Sequence, residues 1–309
     1  MRQLWGKTAL VTGGASGIGF GMVEAFLDEG MNVVVADVRD DHLDAARTAL
    51  GVPRGDVLLL KLDVTDRQAM ARAADAVVKH FGKLHILCNN AGVGQLSGPF
   101  NTSCDDWDWS LDVNLTGVFN GIHSFLPLIA AHGEGGHIVN TASVAAMLPG
   151  GFTYAATKSA VLGLTESMAA ELAEHGIGAT CLMPGPVRSN IHEVGKLRPA
   201  RFGEAGDPAF EAELARREAP DHWMEPIVVG RMIVDAIRRN LLFVFTHKEF
   251  REGIARRFEA ILAAVPPGDS TEEDKARIGF PVRNPIYDRL TEEPPASGEP
   301  RTSAGQPSK

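Results

Sequence analysis

The stretch Thr8-Ala9-Leu10-Val11-Thr12-Gly13-Gly14-Ala15-Ser16-Gly17-Ile18-Gly19 decides the fold. An apolar, β-branched run ends in a glycine-rich turn, and a helical pattern from Gly19 to Glu29 begins at once. Gly13 permits a sharp turn, Gly17 lets the backbone approach a pyrophosphate, and Gly19 lets helix and strand pack closely. The helix amino terminus then presents unpaired N–H groups to the anion. A strand, this loop and a helix at the head of the chain predict a dinucleotide-binding unit.

Working outward, short apolar runs alternate with helical periodicity, which predicts β-α-β units and a parallel sheet. Strands are expected at Thr8 to Thr12, Asn32 to Asp37, Val57 to Asp63, Ile86 to Asn90, His137 to Ala142, Ala179 to Met183 and Leu242 to Thr246. Helices are expected at Gly19 to Glu29, Arg67 to Phe81, Trp107 to His132, Tyr154 to His175 and Ile227 to Arg239. Most of the strands are apolar throughout, as strands covered on both faces must be. The expected fold is therefore α/β, a doubly wound Rossmann-type seven-stranded parallel sheet with helices on both faces.

Residues 1–265 show no break in composition and read as one domain, with residues 188–224 as a substrate-covering lid inserted after the sixth strand. Residues 266–309 read as a carboxyl-terminal extension, disordered after about residue 290, where Thr291 to Lys309 are polar and proline-rich.

At the end of the second strand, Asp37 places a carboxylate where it accepts both adenosine ribose hydroxyls and repels a 2'-phosphate. Ser16 is neutral where a basic residue would meet that phosphate, although Arg39 is a possible phosphate partner. The balance favours NAD over NADP.

Tyr154 and Lys158 stand four apart, on one face of a helix. A phenol leaves water with a pKa of about 10 and needs a fixed cation to work at neutral pH. Charges roughly 5 Å apart at an effective dielectric near 20 attract by about 3 kcal/mol, a downward shift of about two units. Lys158 is expected to supply it.

Composition excludes several classes. The 44% hydrophobic and 22% charged content is that of a soluble protein, and no apolar run is read as long enough to span a bilayer. No signal peptide is visible at the amino terminus. The net charge of -9 argues against nucleic acid. Three cysteines without a C-x-x-C pair fit a reducing cytosol, so the expected place is cytoplasmic. Ten histidines show no metal-ligand spacing, and no metal is expected.

Seven motifs in order resemble the short-chain dehydrogenase/reductase family over about Lys7 to Thr246: the loop Thr12 to Gly19, Asp63-Val64, Asn89-Asn90-Ala91-Gly92, Asn114, Ser143, Tyr154 with Lys158, and Pro184-Gly185. The resemblance implies that Gly13, Ser16, Gly17, Ile18 and Gly19 hold the dinucleotide, with Asp63 and Val64 on the adenine. Asn90, Ala91 and Gly92 would line the adenosine ribose and flank the nicotinamide side. Pro184 and Gly185 would lie beside the cofactor, and Val187 and Ser189 would hold the carboxamide. It further implies that Tyr154 is the general base for an alcohol proton leaving with the hydride. Ser143 would polarise the substrate oxygen, Lys158 would grip the nicotinamide ribose, and Asn114 would hold a water linking Lys158 to solvent. A homodimer or homotetramer through the helices carrying Asn114 and Tyr154 is implied as well.

Ser143 precedes Tyr154 by eleven positions, shorter than the family's usual spacing of about twelve or thirteen, so the Met147 to Phe152 loop is tightened. Thr141 restores the longer spacing but would lie within the strand.

In the carboxyl half, Met183 to Glu193, Arg198-Pro199, Trp223 to Pro226 and Ile233 to Ile237 are similar to bacterial Cα-dehydrogenases that oxidise the benzylic alcohol of lignin-derived β-aryl ethers. This implies a bulky aryl alcohol or ketone as partner. Phe152, Phe202 and Trp223 are the candidate substrate contacts, with Phe210 as a further lid aromatic. Taken singly, these rings read more readily as lid packing or subunit contacts. Two rivals stay open: a dehydrogenase for another hydrophobic alcohol, such as a steroid or polyketide, and an NAD-sensing binding protein without turnover.

Overall fold

A computed structural model describes residues 1–216, 219–278, 284, 286–287 and 290. The disorder expected after residue 290 lies outside these residues. The chain forms two compact units, Met1–Leu262 and Ala263–Lys309. Within the second, the described helix is Glu272–Ile278.

The first unit holds seven parallel strands: β1 (Thr8–Thr12), β2 (Asn32–Asp37), β3 (Val57–Lys61), β4 (Ile86–Asn89), β5 (Gly136–Thr141), β6 (Ile177–Met183) and β7 (Phe243–Phe245). Their order is β3-β2-β1-β4-β5-β6-β7. The expected doubly wound α/β sheet is therefore found. The chain leaves β1 toward β2 and β3, then returns to β4 on its other side. The carboxyl ends of β1 and β4 consequently open a crevice where the direction reverses. Asn90 fastens the two lips: its N–H donates to Thr12 Oγ1 at 3.0 Å, and its amide donates to Thr12 O at 3.1 Å and Gly13 O at 3.3 Å.

The helices of this unit are α1 (Gly17–Asp28), α2 (Asp40–Leu50), α3 (Arg67–Phe81), α4 (Cys104–Leu111), α5 (Gly117–Ala131), α6 (Thr153–Glu174), α7 (Pro208–Leu214), α8 (Pro226–Arg239) and α9 (Arg251–Ala263). One core packs Met22 and Phe26 of α1, Leu43 of α2 and Ile233 of α8 against Val11, Val33 and Val35 of the sheet. Another packs Val118 of α5 and Val161 of α6 against Met183. Contact between α1 and α8 is so close that a Cβ at Gly230 would stand 2.0 Å from Gly21 O.

Helices α2 and α9 fall where no helix was expected. A signal for α2 was present: Asp40 and Asp41 open it, and Gly51 closes it in the left-handed region at φ 66°. The single helix expected from Trp107 to His132 is two, joined by a π turn at Asp112–Thr116 that displaces the ladder by one residue.

By length and composition, Cys104–Ala131 is also apolar enough to cross a membrane, contrary to the sequence reading. Its apolarity has a nearer cause: Trp109, Val118, Phe125 and Ile129 are buried in the protein interior. A second departure joins His85, His132 and Glu134, whose ligand atoms lie within 4.8 Å of one another. Both imidazoles already have protein partners. His85 Nδ1 accepts from Thr8 N–H at 3.1 Å, its Nε2 meets Glu134 Oε2 at 3.1 Å, and His132 joins Leu84 O at 2.7 Å and Glu134 N–H at 3.1 Å. The cluster reads as a knot tying β1 to the loop before β5.

Candidate active site

A cleft runs along the carboxyl ends of the strands. It is lined by Gly13, Ser16, Gly17 and Ile18 at one wall, by Asp37, Asp63 and Val64 at one end, and by Asn90, Ala91 and Gly92 on its floor. Tyr154, Lys158, Pro184 and Ser189 line it too.

Helix α1 starts at this cleft. Its N-cap, Ser16, is extended and makes no side-chain cap bond, and the first turn holds no acidic residue. The amino-terminal N–H groups are thus uncapped by side chains and face the cleft, as an anion requires. Gly13 and Gly17 have φ of 60° and 49°, and a Cβ at Gly17 would lie 2.8 Å from Ser189 Cβ. Gly19 lies behind the loop, where a Cβ would stand 2.0 Å from Gly13 O.

Asp37 is buried at the tip of β2. It accepts from Ala15 N–H at 3.2 Å and Arg39 N–H at 3.1 Å, one bond to each carboxylate oxygen. That fixes the carboxylate and leaves acceptor capacity on both oxygens.

Lys158, Asn114 and Ser143 converge from α6, the π turn and the end of β5. Lys158 is buried and donates to Thr141 O at 2.9 Å, with Nζ 5.6 Å from the Tyr154 ring centroid. Asn114 is fully buried; it accepts from Val93 N–H at 2.8 Å and donates to Val93 O at 3.0 Å and Thr157 Oγ1 at 3.2 Å. Both approach Gly92, where a Cβ would stand 3.0 Å from Asn114 Oδ1 and 3.3 Å from Lys158 Nζ. Ser143 follows β5, accepts from Ala145 N–H at 3.1 Å and also bonds the Tyr154 side chain. Thr141 lies within β5, as expected, and offers its carbonyl to Lys158.

One electrostatic expectation is reversed. Burial raises the Tyr154 pKa and outweighs the Ser143 hydrogen bond, which lowers it. Burial also lowers Lys158 to about 8. Removing both groups from water costs the charged forms more than their mutual attraction returns. The expected two-unit depression of the phenol presumed a fully charged, solvated lysine.

The tightened loop before α6 carries its own strain. Phe152 has φ 39°, rare for a side chain with a Cβ, and projects into solvent toward Trp107, 6.4 Å between ring centroids. Neither Phe152, Phe202 nor Trp223 lines the cleft. Phe202 is buried against Trp109 at 6.4 Å, and Phe210 lies partly buried in α7. Gly185, Val187 and Ser143 stand just outside the lining set. Val187 pairs with Met224, so the two ends of the 188–224 insertion meet.

Sequence reading missed Trp109, Val113, Ile191, Leu197 and Arg201, all of which line the cleft. Trp109 and Val113 are four apart ahead of Asn114, a spacing that places them on one face. Ile191, Leu197 and Arg201 belong to the 188–224 insertion, which the sequence marked as a cover without singling out these three as cleft residues.

With this geometry in view, comparison with known proteins is decisive at the level of family. Residues 7–197 match the model of the short chain dehydrogenase family. The chain belongs to that family. A Cα-dehydrogenase of a Sphingobium species is 36% identical over 280 residues, covering 88% of this chain and 91% of the relative. The 3beta-hydroxysteroid dehydrogenase 2 of Eggerthella lenta is 35% identical over 221 residues, 71% of this chain and 85% of the relative. A short chain dehydrogenase/reductase from Burkholderia phymatum, solved in complex with NAD, superposes with TM-score 0.80 at 32% identity, covering 88% of this chain and all of that one.

Proposed function

We propose that this short-chain dehydrogenase oxidises a benzylic secondary alcohol on an aryl substrate to its ketone with NAD. The observation that carries the reaction is the presence of Tyr154 and Lys158 in a cleft that also holds Asp37, with Ser143 behind the lining beside Tyr154. The aryl substrate is supported by likeness to the Cα-dehydrogenase over most of both chains.

The cleft fits NAD by its own residues. The uncapped start of α1 and the glycines that no Cβ would fit receive a pyrophosphate. Asp37 takes the adenosine ribose hydroxyls, Asp63 and Val64 flank the adenine, and Asn90 to Gly92 lie along the ribose. Ser189 lines the carboxamide end with Pro184, and Val187 and Gly185 back them from behind the lining. When bound, NAD accepts a hydride from the carbinol carbon. Ser143 donates a hydrogen bond to the alcohol oxygen. Tyr154, as phenolate, takes the proton from that oxygen. Lys158 holds the nicotinamide ribose and exchanges a proton with Tyr154. Asn114 holds the π turn against Val93 and Thr157, which keeps Lys158 in place, and its remaining Oδ1 acceptor site suits a water beside Nζ.

Incubating the protein with NAD and a racemic β-aryl ether dimer bearing a benzylic alcohol should produce reduced cofactor, read by its absorbance. A signal with 3β-hydroxysteroids alone would transfer the reading to the steroid class, which the Eggerthella relative supports. Silence with every secondary alcohol, alongside saturable NAD binding, would leave the sensor reading. The partner is thus a small hydrophobic alcohol, and assembly as a homodimer or homotetramer belongs to the same proposal. So does a cytoplasmic place, which the free Cys88, Cys104 and Cys181 suit.

A further inference from the structure

The segment that follows β6 reaches past the catalytic end of the cleft to its adenosine end. Asn190 and Ile191 line the cleft, and the helical turn Ile191–Leu197 carries Glu193 to the rim at the tip of β2. There Glu193 Oε2 accepts from Arg39 Nη1. Asp41 takes the other edge of the same guanidinium, accepting from Nε at 2.9 Å and from Nη2. Two further contacts hold this segment to that end: Asn190 meets His42 at 3.3 Å, and Arg201 donates to Thr65 Oγ1 at 3.0 Å.

Arg39 lines the cleft beside Asp37 and is the cation placed to clasp a phosphate there. A guanidinium at such a position is how an adenosine 2'-phosphate is ordinarily accommodated. Here its Nε, Nη1 and Nη2 each already serve a carboxylate. Two carboxylates, those of Asp41 and Glu193, hold this guanidinium, and a third, that of Asp37, accepts from the Arg39 backbone N–H. An incoming phosphate would have to displace one of them and face the rest.

We infer that Glu193 is a second reader of the adenosine 2' position: by occupying Arg39 and adding its own negative charge, it excludes a 2'-phosphate together with Asp37. Preference for NAD over NADP then depends on the covering segment as well as on the β2 tip. The inference rests on the NAD reading above.

The dissociation constants of NAD and NADP, measured by titration calorimetry for the parent, Glu193→Gln and Glu193→Ala, test it. Removing one negative charge beside a doubly charged phosphate should tighten NADP on the order of fivefold. NAD should stay within roughly twofold. Asp41→Asn, which frees the other edge of Arg39 without touching the covering segment, should tighten NADP similarly. An unchanged ratio of the two affinities in both Glu193 variants would overturn the inference. So would an equal change for both cofactors, which would make Glu193 a clasp without selectivity. Absence of saturable NAD binding to the parent would instead remove the cofactor reading, and this inference with it.

Discussion

Tyr154 carries the heaviest chemical burden on the thinnest sequence signal, a phenol four residues from an ammonium. In Tyr154→Phe the ring remains and only the proton acceptor is lost. Turnover should fall by about three orders of magnitude or more while NAD affinity stays nearly unchanged. Retained turnover would remove Tyr154 from the mechanism. The pair also predicts a pH profile. Lys158 Nζ lies 5.6 Å from the Tyr154 ring centroid, so under the proposed mechanism, in which the two exchange a proton, their ionisations are treated together. Lys158 is lowered to about 8, so the pair loses its first proton near that pH. Moving that vacancy onto the phenol gives the active base, and kcat/KM for alcohol oxidation should rise through about pH 8. In Lys158→Met the buried phenol must ionise alone, and the rise should move upward by a unit or more, roughly. An unmoved profile would show that another group sets it.

Between elements, close approach matters more than hydrophobic quantity. Helices α1 and α8 meet through Gly21 and Gly230, and a Cβ at Gly230 would run into backbone. Gly230→Ala should destabilise the fold by roughly 1–3 kcal/mol, measurable by denaturant titration. A neutral result would mean that α8 shifts freely on α1. Strain in the loop before α6 predicts the opposite sign. Phe152→Gly relieves a positive φ without removing a cleft residue, and should stabilise by up to about 1 kcal/mol despite the flexibility glycine adds. These two glycine effects differ because one position is crowded and the other twisted. Sequence reading found the strands and the helices with strong periodicity. It missed α2, whose mean polarity hides the buried Leu43 and Ala46, and it ran α4 and α5 together because a π turn does not interrupt apolar spacing.

At the scale of the molecule, His137 couples folding to pH. It is fully buried in β5, with Nε2 against Thr180 Oγ1 at 2.8 Å and Nδ1 without a partner among the described residues. Burial first, and repulsion by the amino terminus second, lower its pKa to about 3. An unfolded histidine binds its proton near pH 6.5, so the unfolded state takes up more protons below that point. Stability contributed by neutral His137 is therefore complete above about 6.5 and lost as pH falls toward 3, by up to about 4–5 kcal/mol. The unfolding midpoint should drop steeply across that interval, and His137→Asn should flatten the slope. A parent protein equally stable at both ends would refute this.

Sequence alone determined the sheet, its glycine loop and the order of Asp37, Asn90, Ser143, Tyr154 and Lys158. Each is fixed by local rules: strand hydrophobicity, the φ of a turn, and spacing along one helix face. Tertiary structure decided what those rules do not contain. It brought the residue pairs Arg39 and Glu193, and Trp109 and Phe202, together from distant parts of the chain. It left Phe152 in solvent, and it set the Tyr154 and Lys158 ionisations by burial, where the sequence suggested mutual attraction. Contacts between remote segments and the exclusion of water are properties of the packed chain, and no local spacing encodes them.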